Sequence, residues 1–207
     1  MLCRVRPFAT AVPGTFFLPG LCMRVISGRA RGRKLKRVPG DSTRPIMDRV
    51  KESLFDILGQ DVVGARWLDL FAGTGQVGIE ALSRGATAVT FVDKVRPAIQ
   101  TIQANLQITG LASGAQVVQA DSFAYLRQQA FAPFDLIYVA PPQYLGLWVE
   151  VMALLDERPS AFLLPDGQVV VQIDPKEHQD LALTNFASFD KRVYGNTELL
   201  FFEIAEQ

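Results

Sequence analysis

Cysteine is nearly absent from this chain: Cys3 and Cys22 are its only two, and both lie before the body of the sequence begins. Neither a disulfide framework nor a cysteine-rich metal site can therefore organise the chain, and a reducing, cytoplasmic setting is expected. Histidine is as scarce. His178 stands alone on a late polar stretch, which leaves zinc or histidine-triad chemistry short of ligands and bases. It reads as a surface histidine, and no metal is expected. Long apolar runs are missing too, because Pro7, Pro13, Gly14, Pro19 and Gly20 interrupt residues 1–22. A secretory core needs about 7–15 unbroken apolar residues and a membrane span about 20. The segment is also too poor in Arg and Ser for an organellar transit peptide. Residues 1–22 read as a dispensable extension or an upstream misread start before Met23, and no membrane association is expected.

Net charge is lacking as well, with 21 basic residues against 21 acidic ones. The balance is uneven along the chain. Arg24 to Lys51 holds ten basic residues and only Asp41 and Asp48 as acids, a local charge of +8. Residues 52–207 carry nine basic and nineteen acidic side chains, or −10, and Arg4 and Arg6 supply the remaining +2. A basic arm on an acidic body suits a polyanion, since Arg and Lys contacts to phosphate supply most sequence-independent nucleic-acid affinity. The alternative is a solvated linker. Arg29, Arg31, Arg33, Lys34, Lys36 and Arg37 are the candidate phosphate contacts. Arg44 and Arg49 either join them or order a neighbouring loop through carboxylates.

The 207 residues, 49% hydrophobic, suffice for one sizeable core. The expected organisation is the extension 1–22, a basic arm and first helix over 23–59, and one catalytic domain over 60–207. Residues 23–41 alternate apolar and basic residues with glycines, as an irregular or short β arm would. Met47, Val50, Leu54 and Leu58 then recur on one helical face, with Pro45 in the first turn and Gly59 as the stop. Strands are expected at 66–71, 87–92, 116–120, 134–139 and 167–173. Helices are expected from the glycine-rich turn to Arg84-Gly85 and near 97–108, 122–130, 145–156 and 176–183. This alternation predicts a doubly wound α/β fold with a mostly parallel sheet. Phe186–Tyr194 and Thr197–Ile204 leave no room for a helix around Gly195-Asn196, so an antiparallel hairpin should close one edge.

Ligands in such folds bind at the carboxyl ends of the strands, near the switch point. The first strand ends in Asp69, Phe71, Ala72, Gly73, Thr74 and Gly75, followed by Gly78, a glycine turn that lets a cofactor approach a helix N-terminus. Dinucleotide-binding proteins share that geometry. Asp69 either orders the turn or meets an ammonium group. The second strand ends in Asp93-Lys94, with Asp93 twenty residues beyond Gly73, a spacing that sets a carboxylate against ribose hydroxyls. NAD and S-adenosylmethionine both satisfy it. Asp121-Ser122 closes the third strand, accepting from an adenine amine or capping the next helix.

The fourth strand runs out into Ala140-Pro141-Pro142-Gln143-Tyr144. Two prolines present their carbonyls on a rigid, extended loop. Such carbonyls can accept from a planar amine while an aromatic ring stacks on the base that carries it. This holder for a nucleobase amine favours methyl transfer over hydride transfer. The chain also offers no Tyr-Lys pair or histidine where a nicotinamide enzyme needs its acid.

Residues 23–35 (MRVISGRARGRKL), 44–58 (RPIMDRVKESLFDIL), 68–86 (LDLFAGTGQVGIEALSRGA), 91–94 (FVDK) and 194–203 (YGNTELLFFE) resemble the bacterial 16S ribosomal RNA guanine-N2 methyltransferase family over nearly all of Met23–Glu203. The resemblance implies a seven-stranded Rossmann-like fold and S-adenosylmethionine as methyl donor. It also implies the N2 amine of a guanine in small-subunit RNA as acceptor, and cofactor contacts at Asp69, the glycine loop, Asp93 and Asp121. A monomer is expected. The chain departs from the family where an Asp or Asn usually precedes the two prolines, for here stands Ala140, and Gln143 is inserted before Tyr144. Backbone carbonyls and the Gln143 amide oxygen are expected to replace the missing acceptor, with Tyr144 stacking one position later. Ala140 equally favours an alternative, a catalytically weak or silent S-adenosylmethionine-binding protein that binds RNA in ribosome assembly.

Overall fold

A computed structural model of the protein describes residues 23–40, 46–128 and 132–205. Seven strands form one sheet: β1 (Arg66–Asp69), β2 (Ala88–Asp93), β3 (Ala115–Gln119), β4 (Phe134–Val139), β5 (Leu163–Ile173), β6 (Phe186–Tyr194) and β7 (Thr197–Ile204). Their spatial order is β3-β2-β1-β4-β5-β7-β6. The first five are parallel, and β7 lies antiparallel between β5 and β6. The order reverses between β1 and β4, so the crevice at their carboxyl ends is the topological switch point. Among the described residues no helix is long and apolar enough to cross a membrane.

The central strands read as continuous apolar runs because both faces of the sheet are covered. On one face Trp67, Leu136, Tyr138, Val170 and Phe201 pack with α1 (Asp48–Leu58), α2 (Gln76–Arg84) and α3 (Arg96–Thr109). On the other, Leu68, Ile137, Val139 and Val169 meet Tyr125 of α4 (Ser122–Leu126), Trp148 and Met152 of α5 (Leu147–Glu157) and Phe162 of the short α6 (Pro159–Phe162). Val50, Leu54, Phe55 and Leu58 form the buried face of α1, and Phe55 stacks on Trp67 with ring centroids 5.7 Å apart. Met47, counted in that face from the sequence, instead precedes the helix and is exposed, while Ile46 is buried. Pro45 and Arg44 lie outside the described residues, as does the extension 1–22.

The basic segment is folded onto the domain. Arg24 bridges Lys34, the Val25 N–H donates to Arg33 O at 3.0 Å, and the Leu35 N–H donates to Met23 O at 2.8 Å. Met23, Val25, Ala30 and Leu35 join the first core cluster, whereas Arg29, Arg31, Arg33, Lys34, Lys36 and Arg37 face outward. Apolar–basic alternation thus becomes an inside and an outside. Glu80 of α2 accepts the Ile26 and Ser27 N–H groups, each at 2.8 Å. Ser83 Oγ accepts from Ala30 N at 3.0 Å and donates to Ser27 O at 2.6 Å. Gly28 has φ +78°, and a Cβ there would lie 1.9 Å from Ser83 O, so only glycine lets the segment lie this close. Lys51 is not part of the basic surface: it is fully buried against Glu80.

Four further expectations require correction. No helix spans 176–183. A single 3-10 turn, Pro175–Glu177, is capped reciprocally by Asp174 and Glu177, and the chain leaves it at His178 with ψ 131°. Leu181 and Leu183, with the exposed Ala182 between them, then pack against the second core cluster outside any helix or strand. His178 is partly buried rather than superficial, its Nδ1 lying 2.7 Å from Glu198 Oε1. The helix expected over 122–130 ends at Leu126, and β5 begins at Leu163 rather than Gly167, with an irregular register before Leu136 pairs Gln168.

Candidate active site

The turn from β1 into α2 is anchored on both neighbouring strands before it reverses. Leu70 N donates to Tyr138 O and Ala72 N to Val92 O, each at 3.0 Å. Gly75, at φ 74°, then caps α2 in the left-handed region, which a side chain adopts only under strain. A Cβ on Gly78 would meet Phe91 Cε1 at 2.4 Å, so this glycine lets α2 lie against β2. The turn opens into a cavity of about 570 Å³ at the switch point. Of the cofactor residues expected from the sequence, Asp69, Phe71, Ala72, Gly73, Thr74, Asp93, Lys94, Asp121 and Ser122 line it, as do Ala140, Pro141, Pro142 and Gln143 of the proline loop. Gly75 shapes the turn without lining the cavity.

Several of these side chains already hold the protein's own backbone. Asp69, 2% exposed, accepts the Gly78 N–H through Oδ2 at 3.2 Å. Burial pushes its carboxyl up to about 7; the Gly78 bond opposes the shift and the negative charge of Asp93 adds to it. Asp93 accepts Gly73 N through Oδ2 and Val95 N through Oδ1, both at 2.8 Å. The carboxylate expected to face ribose thus also orders the glycine turn, and each oxygen retains a lone pair for a ligand. Asp121 caps α4, its Oδ1 accepting from Phe123 N at 3.1 Å and Ala124 N at 3.2 Å, while still lining the cavity. Ser122 is buried and donates to Leu70 O at 2.6 Å, which fixes the strand exit.

Gln76, Tyr138, Gln172, Asn196 and Thr197 also line the cavity, and sequence reasoning missed them because no local motif marks them. Gln76 Nε2 donates to Ile46 O at 3.0 Å, leaving Oε1 buried without a partner. A bare buried acceptor calls for a ligand donor. With Asp69 on the same wall, the pair suits an ammonium group. Tyr138 donates to Gln172 Oε1 at 2.5 Å. Burial, and then the charge of Asp69, hold its hydroxyl pKa well above the usual tyrosine range, so it stays a donor.

Tyr144, expected from the sequence to stack on the base, follows the lining residues of the proline loop. This residue has φ 61°, is 61% exposed and is not part of the cavity wall. Its hydroxyl donates to Asp174 Oδ2 at 2.8 Å, and its N–H donates to the Glu177 carboxylate. The capped turn after β5 thus holds Tyr144 by both its hydroxyl and its N–H, with the ring exposed. Leu145 and Leu147 line the cavity instead. Ala140 places no side-chain acceptor there. Val38, Ile46 and Met47 bring the end of the basic segment to the rim. Arg49 is exposed on α1. No group of three or more potential metal ligands occurs among the described residues.

Comparison with known proteins agrees with this architecture. The family described as conserved hypothetical protein 95 matches residues 23–203. The chain is 42% identical to YlbH of Bacillus subtilis, covering 84% of this chain and 95% of that protein. It is 34% identical to ribosomal RNA small subunit methyltransferase D of Escherichia coli, covering 84% and 85% respectively. The solved structure of yhhF from Escherichia coli superposes with a TM-score of 0.79 at 32% identity, covering 90% of this chain and 99% of that one. The chain belongs to the conserved hypothetical protein 95 family, which includes the ribosomal RNA small subunit methyltransferase D proteins.

Proposed function

We propose that this protein transfers a methyl group from S-adenosylmethionine to the exocyclic N2 amine of a guanine in small-subunit ribosomal RNA. The observation that carries the reading is one cavity at the switch point, walled on one side by the glycine turn and on the other by Ala140–Gln143. Cofactor and base amine would meet there. The match to the small subunit methyltransferase D of Escherichia coli supports the RNA class, and the resemblance of the motif blocks supports guanine N2.

The wall fits the donor. Asp69 and the bare Gln76 Oε1 suit the ammonium of its methionine part, while Asp93 suits ribose hydroxyls and Asp121 an adenine amine. When bound, S-adenosylmethionine supplies an electrophilic methyl on a sulfonium. The proline loop fixes carbonyls that accept the amine hydrogens and turn the nitrogen lone pair toward that methyl, with the Gln143 amide as a further acceptor. Proximity and orientation supply most of the acceleration. The methylated nitrogen loses its proton to water, so no general base is assigned. Arg29, Arg31, Arg33, Lys34, Lys36 and Arg37 contact phosphate and orient the RNA.

A second reading, a catalytically weak or silent S-adenosylmethionine-binding protein that binds RNA during ribosome assembly, is favoured by one observation: Ala140 offers the amine no side-chain acceptor. The deciding experiment uses small subunits from a strain lacking its own guanine-N2 enzyme, labelled methyl donor, and nucleoside mass spectrometry. N2-methylguanosine supports the enzyme; no incorporation despite cofactor binding supports the silent protein.

A further inference from the structure

The basic segment and the cofactor turn share one buried side chain. Asn105 of α3 has no solvent exposure. Its Oδ1 accepts the Lys36 N–H at 2.7 Å, while its Nδ2 donates to Lys36 O at 3.1 Å and to Thr74 O at 2.9 Å. One amide thus pairs both backbone groups of Lys36, as a neighbouring strand would, and ties them to the residue between Gly73 and Gly75. Two residues beyond Lys36, Val38 lines the cavity. Further attachments of the segment, to Glu80 and Ser83, are on α2, the helix that the same turn begins, while Asp48 and Lys51 of α1 hold Arg24.

We propose that Asn105 is a positioning residue that couples docking of the basic arm to occupancy of the cofactor cavity. When the arm lifts, the buried Asn105 amide loses both of its bonds to Lys36, so nothing fixes the orientation in which its Nδ2 donates to Thr74 O and the turn relaxes with it. When a ligand fixes the turn, Asn105 is held in the orientation that grips Lys36. Coupling of this kind is reciprocal: whatever stabilises the docked arm tightens cofactor binding by the same factor. Resting on the RNA reading above, this makes phosphate contacts on Arg29, Arg31 and Arg33 a means of tightening the cofactor site, so that substrate and methyl donor bind with positive cooperativity. The couplings usual between sites amount to about 5–150-fold.

The arm's own basic residues supply the probe. Trypsin cuts after Arg29, Arg31, Arg33, Lys34, Lys36 and Arg37 only when the segment leaves the surface, so its cleavage rate reports undocking. In the intact protein, saturating S-adenosylhomocysteine should slow arm cleavage at least about fivefold. Asn105→Asp keeps the acceptor for Lys36 N–H but loses the donors to Thr74 O and Lys36 O; at saturating S-adenosylhomocysteine it should lose most of that protection. Gly28→Ala lifts the arm at the other attachment, through a Cβ 1.9 Å from Ser83 O, without altering a charge or a cavity residue. It should weaken S-adenosylhomocysteine binding by a similar factor, and it carries the test alone if Asn105→Asp does not fold. A merely structural staple would lower the melting temperature of both variants but leave the ratio of cleavage rates with and without ligand unchanged. Equal protection in Asn105→Asp, or wild-type affinity in Gly28→Ala, overturns the proposal. Neither measurement uses RNA, so failure to methylate RNA leaves this test intact. Failure of the wild type to bind S-adenosylhomocysteine overturns the cofactor reading and this inference together, and binding without protection overturns this inference alone.

Discussion

Lys51 of α1 and Glu80 of α2 form an ion pair at 3.2 Å in which neither side chain is exposed. Lys51 Nζ also donates to Arg24 O at 2.6 Å, and Glu80 receives Arg84 Nε at 3.0 Å besides the two arm N–H groups. Burial draws the Lys51 pKa down and Glu80 opposes it. The pair therefore joins α1, α2 and the arm at one point. Glu80→Gln leaves a buried ammonium uncompensated and should cost about 3–5 kcal/mol of stability. Urea denaturation measures this directly, and a loss below about 1 kcal/mol would put the pair among the weak, solvent-screened kind.

Asp69 gives the cofactor site a pH dependence whose sign follows from its carboxyl, raised by burial from an ordinary 3.8 to about 7. In the ligand-free protein the neutral form is favoured on folding. Its stabilising contribution is complete below pH 3.8 and is lost as pH rises through about 7. A ligand ammonium prefers the carboxylate. Affinity for S-adenosylhomocysteine should therefore rise with pH, by at most about tenfold per unit, and flatten above about 7. Calorimetric titration from pH 5.5 to 8.5 checks the slope, which Asp69→Asn should abolish.

Ala140→Asn places an amide oxygen in the cavity wall beside the proline loop. Restoring one acceptor to the amine should raise kcat by about ten- to a hundredfold, the worth of about 1–3 kcal/mol. Affinity for S-adenosylhomocysteine should remain within about threefold of wild type. Single-turnover methyl transfer is the measurement, and an unchanged rate would mean that the loop carbonyls already satisfy both amine hydrogens.

Replacing Arg29, Arg31 and Arg33 together by Gln removes three exposed charges without disturbing Met23, Val25 or Ala30 beneath them. The slope of log affinity for RNA against log salt should become shallower by about two, and binding should weaken evenly across RNA sequences. A filter-binding series over salt concentration tests it, and an unchanged slope would assign these residues no phosphate contact.

Much of the frame was legible along the chain. The hairpin over Phe186–Tyr194 and Thr197–Ile204 and the fourth strand over Phe134–Val139 are observed as expected. Hydrophobic periodicity and the βα turns act over a few residues, so a sequence displays them. The helix over 176–183 failed for the opposite reason. Its residues have helical spacing, but Glu177 is held by the Asp174 and Tyr144 N–H groups, and the leucines that follow pack on a core built far away in the chain.

The candidate site divides along the same line. Glycines at 73, 75 and 78, carboxylates at 69, 93 and 121 and the prolines at 141 and 142 announce a ligand edge, because strand ends in a doubly wound sheet must converge at the switch point. Tertiary structure alone decides what those groups are free to do. It engages Ser122 with Leu70, turns Tyr144 toward Asp174 and leaves Gln76 Oε1 bare. It also converts Lys51 from one more surface cation into a buried tie, and Asn105 from an unremarked helix residue into the link between arm and turn. Each of these outcomes depends on a hydrogen-bond partner tens of residues distant, and partners at that range become neighbours only when the two faces of the sheet are packed.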